Sequence, residues 1–188
     1  MVKKIIAGGL LGWVVLIVSI FLSNGVFGLN SAIDMKRLVN EEWVYAVLKE
    51  SVKQPGGYSV NPPMESPRGP FPDDEPVFSI HYSGMGHEAA GRIFIVNLAI
   101  ALAASLIAAW MLAVTGERVL SRYWRRVLFF AAIGLLFALF GDMMRYGIGA
   151  YSLNHALIFA AQDLACWTLA GLAVACCVKP ETGAADPA

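Results

Sequence analysis

The chain has 188 residues, of which 57% are hydrophobic and 15% charged, and its formal net charge is zero. Ordinary soluble domains carry about 25% charged residues, so this is a membrane composition. A neutral balance offers nothing to attract nucleic acid, and no nucleic-acid partner is expected.

Four stretches are long and apolar enough for a bilayer crossing, which takes about 20 residues. They cover 5–22, 93–115, 127–146 and 153–178. The expected fold class is an all-α membrane protein with four transmembrane helices and a small extracytoplasmic subdomain between helices 1 and 2. Residues 1–22 would hold a cytoplasmic start and the first helix, and 23–92 the extracytoplasmic segment. Residues 93–178 would form a three-helix transmembrane region and 179–188 a cytoplasmic tail.

The first stretch opens with Lys3 and Lys4, as a signal peptide would. Its apolar run, however, exceeds the roughly 7–15 residues of a signal-peptide core. The following SNGVFGLN is a poor small-residue cleavage site, so an uncleaved anchor is expected. Basic residues set the orientation. Lys3 and Lys4 precede the first span, Arg118, Arg122, Arg125 and Arg126 lie between the second and third, and Lys179 follows the fourth. Positive-inside bias puts all three groups in the cytoplasm, with both termini, and leaves 23–92 outside. Gly8 and Gly12 make a G-x-x-x-G pair on the first span. Ala101, Ser105 and Ala109 repeat every four residues on the second, and Ala170 and Ala173 line the fourth. Such small residues allow close helix association, within the bundle or between copies.

In the outer segment, DMKRLVNEEWVYAVLKESV reads as an amphipathic helix. Leu38, Trp43, Val44, Val47, Leu48 and Val52 recur at spacings of three and four. Asn40 is the expected cap, and QPGG at 54–57 the stop. YSVNPPMESPRGPFPDDEP then reads as extended loop, and VFSIHY as a short strand with Phe78, Ile80 and Tyr82 on one side. The helix must cover its apolar stripe, either on this loop and strand, the preferred reading, or on the membrane surface. Trp43 and Tyr82 are the candidate partner surface. Asp73, Asp74 and Glu75 lack the six to eight spaced oxygens of a calcium site and read as a solvated turn. His81 and His87 have no further ligands nearby, so no metal and no cofactor is expected.

The third and fourth spans carry charges. Asp142 lies sixteen residues beyond Arg126, and Asp163 sixteen before Lys179. At about 1.5 Å per residue both carboxyls sit about 24 Å above the inner boundary of a core about 30 Å thick. They should therefore be neighbours on antiparallel helices joined by a short turn at 147–152. Arg145, three residues after Asp142, shares its face, and Tyr146 is placed to donate to it. His155, Phe159, Gln162, Asp163 and Cys166 form one stripe on the fourth span, and Asn97 on the second lies near the same level. Intramembrane charges are costly and find partners. The leading reading is a structural ion-pair and hydrogen-bond clamp. A ligand or proton site using Asp142, Arg145, Asp163, Gln162, His155 and Asn97 comes second, and catalysis third.

Cys166, Cys176 and Cys177 all fall in the fourth span, which excludes an intrachain disulfide in the outer segment and suits small packing residues. His155 is alone in the spans, which disfavours a bis-histidine haem, and no nucleotide, zinc-protease or nucleophile-elbow motif occurs. A single anchor, then EEWVYAVLKESVKQPGGYSVNPP, then three spans ending in QDLACWTLAGLAVA, resembles a group of small uncharacterised bacterial four-helix inner-membrane proteins. The resemblance covers most of the chain and implies the bacterial inner membrane without implying an activity. The expected role is non-enzymatic, in envelope assembly or partner binding. A small proton-coupled carrier is the alternative, and a membrane enzyme acting on lipid or quinone the third. The expected partners are the bilayer and a membrane or periplasmic protein or a second copy.

Overall fold

The computed structural model of the chain describes residues 1–33, 36–61, 74–147 and 151–180. The proline-rich stretch 62–73 with Asp73, the turn residues 148–150 and the tail from 181 onward lie outside the described residues. Four described helices are long and apolar enough to cross a membrane: Val2–Ile33, His87–Ala113, Tyr123–Tyr146 and Leu153–Cys177. The chain divides into two compact units, Met1–Lys36 with Phe94–Ala188, and Arg37–Ile93.

The first unit opens with α1 (Val2–Phe21), which widens into a π-helical turn at Leu22–Val26. Gly28, at φ 63, lets the chain re-enter a short helix α2 (Leu29–Ile33). Helical structure thus continues past residue 22, to Ile33. The packing of α1 is inside out. Its buried residues are Gly8, Gly9, Gly12, Leu16 and Ser19, whereas Ile6, Leu10, Val14, Val18 and Phe21 are exposed. A water-soluble bundle buries its large apolar side chains; here lipid is the medium that would cover them.

Beyond the second unit the chain returns as α4 (Ala90–Ala113), again with small residues inward: Ser105, Ala108 and Ala109, beside Leu112. Ser105 Oγ donates to the Gly9 carbonyl at 2.8 Å, and Trp13 Nε1 donates to the Leu98 carbonyl at 3.0 Å. A Cβ added to Gly12 would lie 2.6 Å from Ser105 Oγ and 2.7 Å from Val174 Cγ2, so this approach requires glycine. The G-x-x-x-G pair therefore serves packing inside one chain.

A short helix α5 (Glu117–Leu120) leads to α6 (Tyr123–Phe137), a second π-helical turn at Ala138–Met143, α7 (Met144–Gly147) and α8 (Leu153–Cys177). The core lies where α6 meets α8. Phe130 is fully buried, and the Phe137 ring stacks on Trp167 at 5.4 Å between centroids. At the end of the bundle that carries the basic residues, Tyr123 Oη donates to the Leu172 carbonyl at 2.9 Å. Lys4 Nζ donates to the Lys179 carbonyl at 3.2 Å.

In the second unit, α3 (Glu41–Ser51) is followed by β1 (Gly56–Val60) and β2 (Phe78–Tyr82), an antiparallel pair with Gly56 opposite Tyr82 and Tyr58 opposite Ile80. The start of the expected loop is thus a strand. Asn40 is the N-cap residue of α3, as expected, but at φ 64 its side chain makes no capping hydrogen bond. No residue of α3 is fully buried; Val44 and Leu48 of its apolar stripe are half-buried, whereas Trp43 is 69% exposed. Most of the loop expected to cover this stripe lies outside the described residues.

Candidate functional site

Besides Val127, the buried residues of the third membrane-length helix follow a spacing of four: Arg126, Phe130, Gly134, Ala138 and Asp142. In an α-helix of 3.6 residues per turn such a series drifts steadily around the axis. The wider π turn over Ala138–Met143 reverses that drift and keeps Asp142 facing inward. Asp142 is 6% exposed as a result.

Arg145 is one turn further on and its Nη1 lies 4.0 Å from Asp142 Oδ1, the outer limit of an ion pair. Its side chain is 55% exposed, so the contact is loose and the guanidinium reaches outward. Asp142 Oδ2 is buried and receives no donor in the ionised state. The group within side-chain hydrogen-bond reach of Asp142 is the half-buried carboxyl of Asp163 on α8. Two carboxylates are both acceptors, so this bond forms only when one of them carries a proton. Arg145 acts electrostatically on both acids, and His155 on Asp142.

His155 is buried near the start of α8, between the rings of Tyr151 at 4.4 Å and Phe159 at 4.9 Å. Ser152 caps that helix by accepting from the His155 backbone N–H at 3.3 Å. Asp142, Arg145, Asp163 and His155 are thus brought together. Asn97 is exposed on α4 and is not among the groups acting on the two acids. Tyr146 is half exposed and leaves Asp142 Oδ2 without a donor. On α8, Asp163 meets Asp142 and also acts on Cys166, while Gln162 and Cys166 line a cleft between the end of α1 and α8. In the other unit Trp43 and Tyr82 are both exposed. Among the described residues no three His, Cys, Asp or Glu side chains gather to hold a metal ion.

Sequence reasoning missed a second charged site. Arg126, read only as a marker of orientation, is 6% exposed. Its Nε donates to the Ala175 carbonyl at 3.1 Å and its Nη1 to the Leu120 carbonyl, and its guanidinium lies 5.9 Å from the Tyr123 ring centroid. A guanidinium on the last turn of α8 meets the negative end of that helix and carbonyls left without intrahelical partners. The available signal was its spacing, four residues before Phe130 on the buried stripe.

Chemically, the acid pair with one guanidinium can bind a proton or a hydrogen-bond donor, or can fasten two helices. The described residues near it include no hydroxyl or thiol activated by a base. No protein-family model matches the chain, and no curated protein or solved structure is significantly similar to it.

Proposed function

We propose that the chain is a non-enzymatic multi-pass protein of a bacterial inner membrane, with an envelope-assembly or partner-binding role. Both termini face the cytoplasm, and Arg37–Ile93 lies outside, offering Trp43 and Tyr82 to a membrane or periplasmic protein. The acid pair is the fastening between the last two helices. The observation that carries this reading is Asp142, buried on the π turn and facing Asp163 across the helix pair, with Arg145 at its margin. The positive-inside distribution of Lys3, Lys4, Arg118, Arg122, Arg125, Arg126 and Lys179 supports the orientation, and the layout resemblance supports the bacterial membrane.

Two substitutions test the fastening. Asp163→Leu leaves a buried carboxylate alone and lowers unfolding stability in detergent by about 1–3 kcal/mol. Asp163→Asn keeps a donor for Asp142 and restores most of it. Unchanged stability in Asp163→Leu would falsify the clamp. For the outer surface, a photo-crosslinker replacing Trp43 or Tyr82 should capture one defined protein in intact cells; recovery of lipid alone refutes the partner role.

One observation favours a second reading, a proton-coupled carrier: the donorless Asp142 Oδ2 faces another acid and needs a proton to bond it. Under that reading Asp163→Asn folds normally, but proton-driven solute uptake into vesicles is lost.

A further inference from the structure

We propose that the cleft between α5 and the first turns of α6 binds the headgroup of an anionic phospholipid, its phosphodiester held by Arg118 and Arg125. The cleft holds about 530 Å³ and is lined by these two arginines with Val119, Leu128 and Phe129. Arg125, Leu128 and Phe129 are spaced by three and four residues and share one face of α6. The charge thus lies at the end of the span and the apolar pair one turn deeper, the polarity order of a lipid standing beside it. Trp124, next to Arg125, is 66% exposed and marks the same level, since an exposed indole at the end of a span belongs among headgroups.

The two guanidiniums set this cleft apart from an ordinary basic rim. Both arginines are exposed, so an occupant can reach them. Among the described residues neither has a carboxylate within ion-pair distance, although Glu117 adjoins Arg118 in the chain. Arg125 Nη1 donates to the Arg118 carbonyl at 2.7 Å. That bond draws the Arg125 side chain toward α5 and leaves the rest of its fork for a ligand. Arg126, by contrast, is buried on backbone carbonyls and has no part in the cleft. Two neighbouring cations without a counter-charge favour an anion, and a planar guanidinium matches phosphate oxygens two at a time. Basic pockets beside helix ends at a membrane surface take lipid headgroups in this way. A zwitterionic headgroup brings its own ammonium, which the guanidiniums repel, so the charge selects a lipid that is negative overall. Leu128, 64% exposed, and Phe129 offer its acyl chain a surface that a soluble phosphate ester does not need. The site stands on the membrane reading of the apolar helices; the proposed orientation decides only which leaflet supplies the lipid.

The probe is phosphatidylglycerol with a diazirine in its acyl chain, present in both leaflets of phosphatidylcholine vesicles that contain the full chain. Photolysis followed by peptide mapping should put the label on Leu128 and Phe129. Unlabelled phosphatidylglycerol should compete saturably, and added phosphatidylcholine should not. Arg118→Gln, which breaks no hydrogen bond or ion pair among the described residues, should raise the half-saturating lipid fraction by about tenfold, the effect of one lost charge-assisted hydrogen bond. Arg125→Lys keeps the charge without the fork and should raise it by less. Arg122→Gln removes the same charge from the same loop outside the cleft and should leave the curve where it was. An equal loss in Arg122→Gln would mean attraction to the basic surface as a whole, and overturns the site. Label spread evenly over exposed residues such as Leu136 and Phe140, without saturation, would mean ordinary boundary lipid and overturns it too. Competition by soluble glycerol phosphate overturns the assignment to a lipid. If the arginine variants do not fold, the position of the label and the competition measured on the unaltered chain still decide.

Discussion

Arg126 fixes the end of α8 to the end of α5. Its guanidinium takes two backbone carbonyls, those of Ala175 and Leu120, in a nearly closed setting. Arg126→Ala removes the donors and leaves both oxygens to find others, a loss of about 2–4 kcal/mol. Arg126→Lys recovers only part, because an ammonium cannot span the two carbonyls as a planar fork does. Chemical denaturation of the purified protein in detergent checks both values, and an Arg126→Ala protein as stable as the original contradicts the assignment. The same residue marks a limit of sequence reasoning. An arginine before an apolar run signals the cytoplasmic boundary, and nothing in the residue type separates that role from a buried one. Asp142 and Asp163 were legible because both are counted from such boundaries, whereas Asn97 met the same depth criterion and faces elsewhere. Depth specifies a level along a helix; only packing specifies the side.

Among the elements, the membrane-length helices were readable because a crossing demands a long uninterrupted apolar run. The strand β1 was not, since GGYSV offers few strand formers and its pairing depends on a partner about twenty residues away. Nor was the π turn at Ala138–Met143, which fits a buried stripe spaced in fours onto one helix. That origin predicts what deletion does. Removing Gly141, whose Cβ position is open space, should let the segment revert to an α-helix and rotate the acid away from α8. In a cysteine-free background, Asp142→Cys with Asp163→Cys should form a disulfide on mild oxidation, and the same pair with Gly141 deleted should not. Equal crosslinking in both would show that the wide turn has no part in aiming Asp142.

For the whole molecule, the inside-out packing and the distribution of basic residues lead to a statement about sidedness. Under the proposed orientation, a cysteine in place of Ser83, in the Arg37–Ile93 unit, should react with a membrane-impermeant maleimide on intact cells. One in place of Ser121, beside the arginines, should react only after lysis. The reverse pattern inverts the proposed orientation, and labelling of both on intact cells removes the bilayer from between them.

The pairing of the first and last long helices also bears on how the chain is made. Gly8 and Gly12 are filled against by Val174 and Val178, and Lys4 reaches the carbonyls of Lys179 and Pro180. Synthesis runs from the amino end, so α1 and α4 are made before α8. α4 can close on the Gly9 and Gly12 side of α1 first, but until α8 follows, the face at Gly8 lacks Val174 and Val178, and the newborn bundle is open along that seam.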